Sequence, residues 1–509
     1  MRDITSKISY LESYELAHSS KELIISSPLV DDSFISQIRK LLIFKLLGIK
    51  NSVLYTFSFK DSILAERLLL ESYKESGFIE SYGEGVVYCD YPRLNFFGIV
   101  LFIEKDKLTV RSWGYSLPYE EKSLAIKKSF WEALERQSSY YLPSSSSIMY
   151  PDFKRGDASF LYDFIPKFNE LQIRNNPSLL SEKKDLQNVF GLWVKSLTKS
   201  GKTFLPADCF FWGKRVGEEA KFFQDLTTSG SGGGYTVENA TLSALYEAIE
   251  RDLFMLYWYA GTPPQLIDLS LEKGSFFDYI KDAKERYNLE IYFFDVHYDI
   301  NIPACVCIVI DPVLNLVSVG AKVSYNTVTA LQGSCIEALA TLCSIRSDHD
   351  KNAIKEESLI AILKDVEENP SSVNKIIRTS MYSSPLGIKM IKDLWINSSE
   401  VSSFKDFDAL SRNFSSTADE FKYITDQFKK LTVEKGEGYH IYTHTFSSLW
   451  TKLFGYKVVH VFIPSFLKLN LSEVYRATNS SRLSEFIKKY KKESLSGELS
   501  SNVLPHPLP

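Results

Sequence analysis

Near the N-terminus the apolar positions recur at helical spacing. Residues 35–47 (ISQIRKLLIFKLL) and 62–76 (SILAERLLLESYKES) each predict an amphipathic helix, the second stopped by Gly77. Beyond it the period shortens: 78–82 (FIESY) and 86–89 (VVYC) flank the breaker Gly83-Glu84-Gly85 and predict a hairpin. Two helices followed by a hairpin predict a small winged-helix-like domain over residues 1–95. From 96 to 509 strand and helix patterns interleave. Residues 96–104 are apolar, 108–113 alternate, and 119–141 are helical up to a break at Leu142-Pro143 and Ser144 to Ser147. Strand-like runs follow at 292–295 (YFFD), 304–311 (ACVCIVID) and 458–463 (VVHVFI), so a large α/β (α+β) domain is expected. Residues 345–435 are richer in Ser, Lys, Asp and Asn and predict a partly helical insertion with solvated surfaces.

Composition narrows the function classes. With 509 residues, 44% hydrophobic and 24% charged, the chain has enough apolar surface for two packed domains and none of the bias of a disordered one. Its formal charge of −4 comes from 59 basic and 63 acidic residues, well mixed, which excludes general nucleic-acid binding. In the second helix Glu66, Glu71 and Glu75 beside Arg67 and Lys74 count against DNA as a ligand of the winged unit. Its hairpin edge could instead accept a peptide as an added strand. The N-terminus is charged where a secretory signal is apolar, and no run of about 18 apolar residues occurs, so a cytoplasmic protein without membrane contact is expected. Six cysteines without a CxxC pair read as small buried hydrophobes in a reducing compartment.

The chemistry lies in a repeat. Residues 131–137 (WEALERQ) return as 246–252 (YEAIERD), so Glu132 with Glu135, and Glu247 with Glu250, each share one helix face three residues apart. One such pair reads as a salt-bridged surface. Here Phe130, Trp131, Leu134, Leu245, Tyr246 and Ile249 surround both pairs, and buried carboxylates require a bound cation or a dense ion-pair network. Mg2+, a hard cation that bridges carboxylates to nucleotide phosphates, fits such oxygens. Upstream, 228–236 (TSGSGGGYT) predicts a glycine-rich loop opening a helix, where amides can face phosphate or merely turn the chain.

These residues together resemble the YcaO family, over roughly 95–509. SFWEALER (129–136) is similar to its first ATP-binding element, GGGYTVENATLSALYEAIERD (232–252) to its second, and ALQGSCIEAL (330–339) to its third. Leu205-Pro206-Ala207 and Ile302-Pro303-Ala304 resemble framework positions, and the terminus Pro505-His506-Pro507-Leu508-Pro509 resembles the P-x-P-x-P end of azoline-forming members. The resemblance implies an ATP-dependent cyclodehydratase of thiazole/oxazole-modified peptide (RiPP, bacteriocin) biosynthesis. In such an enzyme a Cys, Ser or Thr of a ribosomal precursor peptide attacks the preceding carbonyl, and phosphorylation of the amide oxygen lets it leave. It further implies that Glu132, Glu135, Glu247, Glu250 and Glu337 hold Mg2+ with ATP, and that Arg251 lies near the phosphates. Ser129, Ser231 and Asn239 join the nucleotide site, and Pro505, Pro507 and Pro509 shape the catalytic end. The 1–95 unit becomes a leader-peptide recognition element, beside a leader-binding partner protein, a flavin dehydrogenase and a second copy of the chain as expected partners.

Some positions depart from the family pattern. GYTVENA puts Tyr235 and Asn239 where the second element usually has Asn and Glu, and Glu238 points about 100° away from Asn239. Gln332 stands five rather than four residues before Glu337, Ala340 and Thr341 follow where a glutamine is frequent, and Trp131 replaces a common arginine. These departures keep open a second reading, a catalytically degenerate scaffold of the same fold that docks precursor peptide or a partner subunit.

Overall fold

The computed structural model describes residues 70, 74, 79–85, 91–103, 108–140, 154–213, 221, 223–352, 356–366, 370–373, 375–490 and 502–508. The predicted helices at 35–47 and 62–76 and the strand at 86–89 lie outside these, except that Leu70 and Lys74 are helical. Strand β1 (Ile79–Glu84) pairs antiparallel with β2 (Asn95–Ile103), which pairs with β3 (Leu108–Ser116). One three-stranded sheet therefore runs across the expected boundary at 95, and Leu70 is buried in the same core as Ile79 and Phe97.

A six-stranded sheet combines β4 (Lys154–Gly156), β5 (Val189–Ser196), β6 (Lys202–Pro206), β7 (Ser231–Gly234), β13 (Tyr442–Phe446) and β14 (Lys457–Phe462). A five-stranded sheet has the order β11-β10-β9-β8-β12, built from β8 (Gln265–Asp268), β9 (Glu290–Asp295), β10 (Ala304–Asp311), β11 (Leu316–Val323) and β12 (Val401–Ser403). The apolar run at 304–311 is buried at every position, as expected of a strand covered on both faces.

Three helices tie the sheets together. Helix α1 (Lys122–Tyr140) packs on β2 and β3 and reaches β7 and β14. Helix α2 (Val237–Ala260), capped by the Thr236 side chain and ended by Gly261 in the left-handed region, lies between β7–β14 on one side and β10–β11 on the other. Helix α3 (Thr327–Asn352) covers β10 and β11. Its stretch Thr327–Arg346 is long and apolar enough to cross a membrane, yet half of it is buried and it carries Glu337. Its apolarity serves the core here.

Two expectations change. The stretch 345–435 is partly helical with solvated surfaces, as expected, but it is also part of the core: Met381, Tyr382, Ile391, Trp395, Ile424 and Phe428 are buried in the central core with α2. Polar residues dominate its composition because they cover the outer face, while the few large apolar ones anchor it. The glycine-rich stretch is not a loop. Ser231–Gly234 form β7, in register with Lys457–His460 of β14. Glycine is required because a Cβ on Gly232 would strike the α2 backbone at Ala244, and one on Gly233 would meet the Tyr456 hydroxyl and the Glu135 carboxylate.

Candidate active site

The close approach through β7 puts the two glutamate pairs side by side. Helix α1 brings Glu132 and Glu135, α2 brings Glu247 and Glu250, and α3 adds Glu337. Arg136 Nη2 lies 2.5 Å from Glu132 Oε1, and its Nη1 donates to Arg111 O. Arg251 lies between the two carboxylates of its own helix, 3.7 Å from Glu247 Oε1 and 3.9 Å from Glu250 Oε1. The Gly230 amide donates to Glu247 Oε2 at 2.8 Å, and the Ala321 amide to Glu337 Oε2 at 3.3 Å. The Tyr456 hydroxyl donates to Glu135 Oε1 at 3.3 Å.

Burial and mutual repulsion govern the protonation of this cluster. Burial, with the charges of Glu132 and Glu247, pushes Glu135 up to about 8. Burial and Glu250 push Glu337 up to about 7. Burial also raises Glu132 and Glu247, against the pull of Arg136 and Arg251 respectively. Arg251 feels Glu247, Glu250, Glu337 and Glu132 together, so the helices meet at one centre. Arg136, Arg251 and Lys322 pair with Glu132, Glu247 and Glu250, so the five carboxylates outnumber these cations when all are ionised.

The donor set fits Mg2+. Glu250 Oε2 is buried and among the described residues accepts no hydrogen bond, the Lys322 ammonium standing 3.6 Å away, so it keeps lone pairs for a metal ion. Among the described residues no three His, Cys, Asp or Glu side chains form a ready-made metal cage. Mg2+ commonly binds through one or two carboxylates, water and substrate phosphate, and needs no such cage.

Other expected site residues stand elsewhere. Ser129 is fully buried on the face of α1 that packs against Gly114 of β3, and its hydroxyl has no hydrogen-bond partner among the described residues. Ser231 faces the interior, 3.0 Å from His460 Nδ1. Asn239 is exposed in the first turn of α2, its amide held by Thr236 Oγ1, and eight residues of helix, about 12 Å, separate it from Glu247. Gln332 donates to the Tyr119 hydroxyl at 3.4 Å, away from Glu337 on another face of α3. Tyr235 is 38% exposed and packs edge-on against Trp131 and Tyr456, which stack with ring centroids 4.1 Å apart.

The proline tail is buried. Prolines lack N–H groups, so the tail carbonyls take donors from elsewhere in the chain. Arg476 donates to Val503 O at 2.6 Å, Trp258 Nε1 to Leu504 O at 2.8 Å, and Tyr382 to Pro505 O at 2.5 Å. Pro505 and Pro507 are buried, His506 lies edge-on to Phe254 of α2, and Leu508 joins the central core. Pro509 lies outside the described residues. The tail thus runs behind α2, one turn from Arg251.

Sequence reasoning missed Lys322 and Tyr456. No motif marks either residue, and both reach the carboxylates only because β11 and β14 pass beside α3 and α1. Gly333, opposite Lys322, is the one signal the chain offered.

Fold and site define an α/β protein with a buried, carboxylate-rich centre suited to a divalent cation. The chain belongs to the YcaO family: the family model described as "YcaO cyclodehydratase, ATP-ad Mg2+-binding" matches residues 127–467. No curated protein matches it in sequence. Among solved structures it is similar to a heterocyclase in complex with substrate and cofactor, at 15% identity and TM-score 0.65 over 87% of this chain and 57% of that one. It is also similar to YcaO from Methanopyrus kandleri bound with AMPPCP and Mg2+, at 13% identity and TM-score 0.52 over 79% of this chain and 90% of that one. A third likeness is to the E. coli microcin synthetase McbBCD complex with pro-MccB17 bound, at 12% identity and TM-score 0.51 over 84% and 96%. At these identities the likeness is one of fold, and the chain spans little more than half the length of the first of them.

Proposed function

We propose that this chain is an ATP-dependent, azoline-forming cyclodehydratase that converts Cys, Ser or Thr of a ribosomal precursor peptide to thiazoline or oxazoline. The observation that supports it most is the meeting of the two glutamate-pair helices with Glu337 around Arg251. Glu132, Glu135, Glu247, Glu250 and Glu337 would hold the metal, and Arg251 would neutralise phosphate charge. When bound, Mg·ATP supplies the phosphoryl group that turns the amide oxygen of the peptide into a leaving group. Ring closure adds the substrate thiol or hydroxyl to the preceding carbonyl carbon. The oxygen departs as phosphate and the amide proton is lost, leaving a C=N bond. The chain's part is to orient these groups, exclude water and balance charge, with the tail through Pro505, Pro507 and Pro509 backing the catalytic end.

The precursor peptide is the first partner of this reading. The N-terminal unit would recognise its leader, alone or with a leader-binding protein, and a flavin dehydrogenase would oxidise the azolines. The chain would act in the cytoplasm as a homodimer. Incubation of the purified protein with precursor peptide, partner and ATP tests the reading. It expects loss of one water per ring together with ADP, and absence of both would sink it.

Exposed Tyr235 and Asn239 favour a second reading, a degenerate scaffold that docks peptide or a partner subunit. Calorimetry with Mg·ATP separates the two: tight binding abolished by Glu250→Gln counts against the scaffold.

A further inference from the structure

Lys322 enters the carboxylate centre from β11 along a path that only a glycine allows. A Cβ on Gly333 of α3 would sit 2.5 Å from Lys322 Cγ and 2.8 Å from its Cδ. The lysine stem therefore crosses the helix where a side chain is missing, and its ammonium ends 3.6 Å from Glu250 Oε2, the buried oxygen that accepts no hydrogen bond from the described residues.

The two halves of the centre differ in this respect. On the α2–α3 side, each oxygen of Glu250 faces a protein cation, Arg251 at 3.9 Å and Lys322 at 3.6 Å. On the α1 side, Glu135 meets the Tyr456 hydroxyl, and among the described residues no Lys or Arg forms an ion pair with it. Arg136 on α1 is taken up by Glu132, so among the described residues Glu135 keeps a carboxylate free of ion pairs, whereas Lys322 already stands at the Glu250 oxygen on the other half.

We propose that Lys322 is a resident counter-ion that fills one cation position of the centre, beside Glu250, so that the metal-holding carboxylates have one position fewer to offer divalent ions. The inference rests on the Mg·ATP reading of the site and deepens it: the chain takes one divalent ion fewer than its carboxylates would otherwise accept. An ammonium there is compact and strongly hydrated, and cannot leave the site when the metal concentration falls. Lys322 is thereby a positioning residue for the metal.

Mn2+ alone, added to the full-length protein without nucleotide or peptide, provides the test, with free Mn2+ counted by electron paramagnetic resonance. Lys322→Met keeps the stem over Gly333 and removes the charge. It is expected to bind one more Mn2+ per chain than the natural protein, while Lys322→Arg binds the same number. Lys322→Gln serves as a second neutral variant should the methionine form fail to fold. An unchanged or lower count in the folded neutral variants, or no Mn2+ bound by any form, overturns the proposal. Because the count needs neither ATP nor peptide, a raised count without ring formation would leave this inference standing and count against the cyclodehydratase reading alone.

Discussion

Asp252, the residue that follows the second glutamate pair, is closed by Arg482 in a two-pronged ion pair at the centre of the protein. Arg482 Nη2 lies 2.6 Å from Asp252 Oδ2 and its Nε 3.0 Å from Oδ1, with side-chain exposures of 1% and 0%. The Leu467 amide donates to Asp252 Oδ1 at 2.8 Å, and Arg482 Nη1 reaches Asp299 at 2.7 Å. The pair fastens the helix at Ser481–Tyr490, which precedes the tail, to α2. Breaking it from one side strands a buried charge, so Arg482→Met should lower stability by about 3–5 kcal/mol. The Asp252→Leu/Arg482→Met double variant removes the charge stranded at Asp252 and should recover part of that loss, with Asp299 left to Lys435. Urea unfolding of the natural protein and the two variants measures both, and equal losses in single and double variants would refute the coupling.

Glu250→Gln keeps the shape of the side chain and removes the carboxylate that faces both Arg251 and Lys322. Affinity for Mg·ATP should fall at least about tenfold, roughly 1.4 kcal/mol, with the fold intact. Calorimetry gives the affinity and circular dichroism the fold.

Gly233→Ala puts a methyl group between the Tyr456 hydroxyl and the Glu135 carboxylate. The overpacking should cost about 1–3 kcal/mol of stability and displace Glu135 from the metal side. A thermal melt and a Mg·ATP titration read the two effects separately. Unchanged values in both would mean that β7 and α1 do not approach as described.

Deletion of 505–509 should do more than remove catalytic groups. It withdraws Leu508 from the core and leaves the buried Tyr382 hydroxyl without the Pro505 carbonyl. About 2–5 kcal/mol follows from the first loss and about 1–3 kcal/mol from the second. Tyr382→Phe isolates the hydrogen bond and should cost about 1 kcal/mol. If the truncated chain unfolds at the same denaturant concentration as the full one, the tail is not part of the core.

Burial lowers the Lys468 ammonium to about 8, where it lies 4.5 Å above the Phe462 ring. In the unfolded chain a lysine titrates near about 10.4. Between these values the unfolded state holds the extra proton, so stability rises as pH increases from about 8. Lys468→Met should be more stable than the natural protein at pH 7, with a gap that narrows as the solution becomes more alkaline. Melting temperatures of both proteins from neutral to alkaline pH give the difference directly, and a constant gap would refute the linkage.

Much of the fold was legible where a local pattern sufficed. The strand at 304–311 matches β10 residue for residue, and the helix expected at 119–141 and the strand at 458–463 differ from α1 and β14 only at their ends. Reading failed where local pattern and tertiary setting disagree. Four residues of Ser and Gly in Ser231–Gly234 look like a loop, because nothing local tells that two helices press on that backbone. The stretch 345–435 hides its core anchors because its solvated outer face outnumbers them. Ser129 and Ser231 match a motif in spacing, yet the packing of β3 on α1 and of His460 against β7 turns them inward.

The chain by itself determined the glutamate pairs, since three-residue spacing on a helix puts two carboxylates on one face whatever surrounds them. It also determined the alternation of strands and helices and the likeness to the YcaO family. Only the tertiary structure decided that the two pairs face each other, that Lys322 crosses Gly333 to join them, that Arg482 closes on Asp252, and that the proline tail is buried behind α2. Each of these joins residues far apart in the chain. Periodicity reports a residue's face, whereas the partner that meets it is chosen by sheet order and close packing.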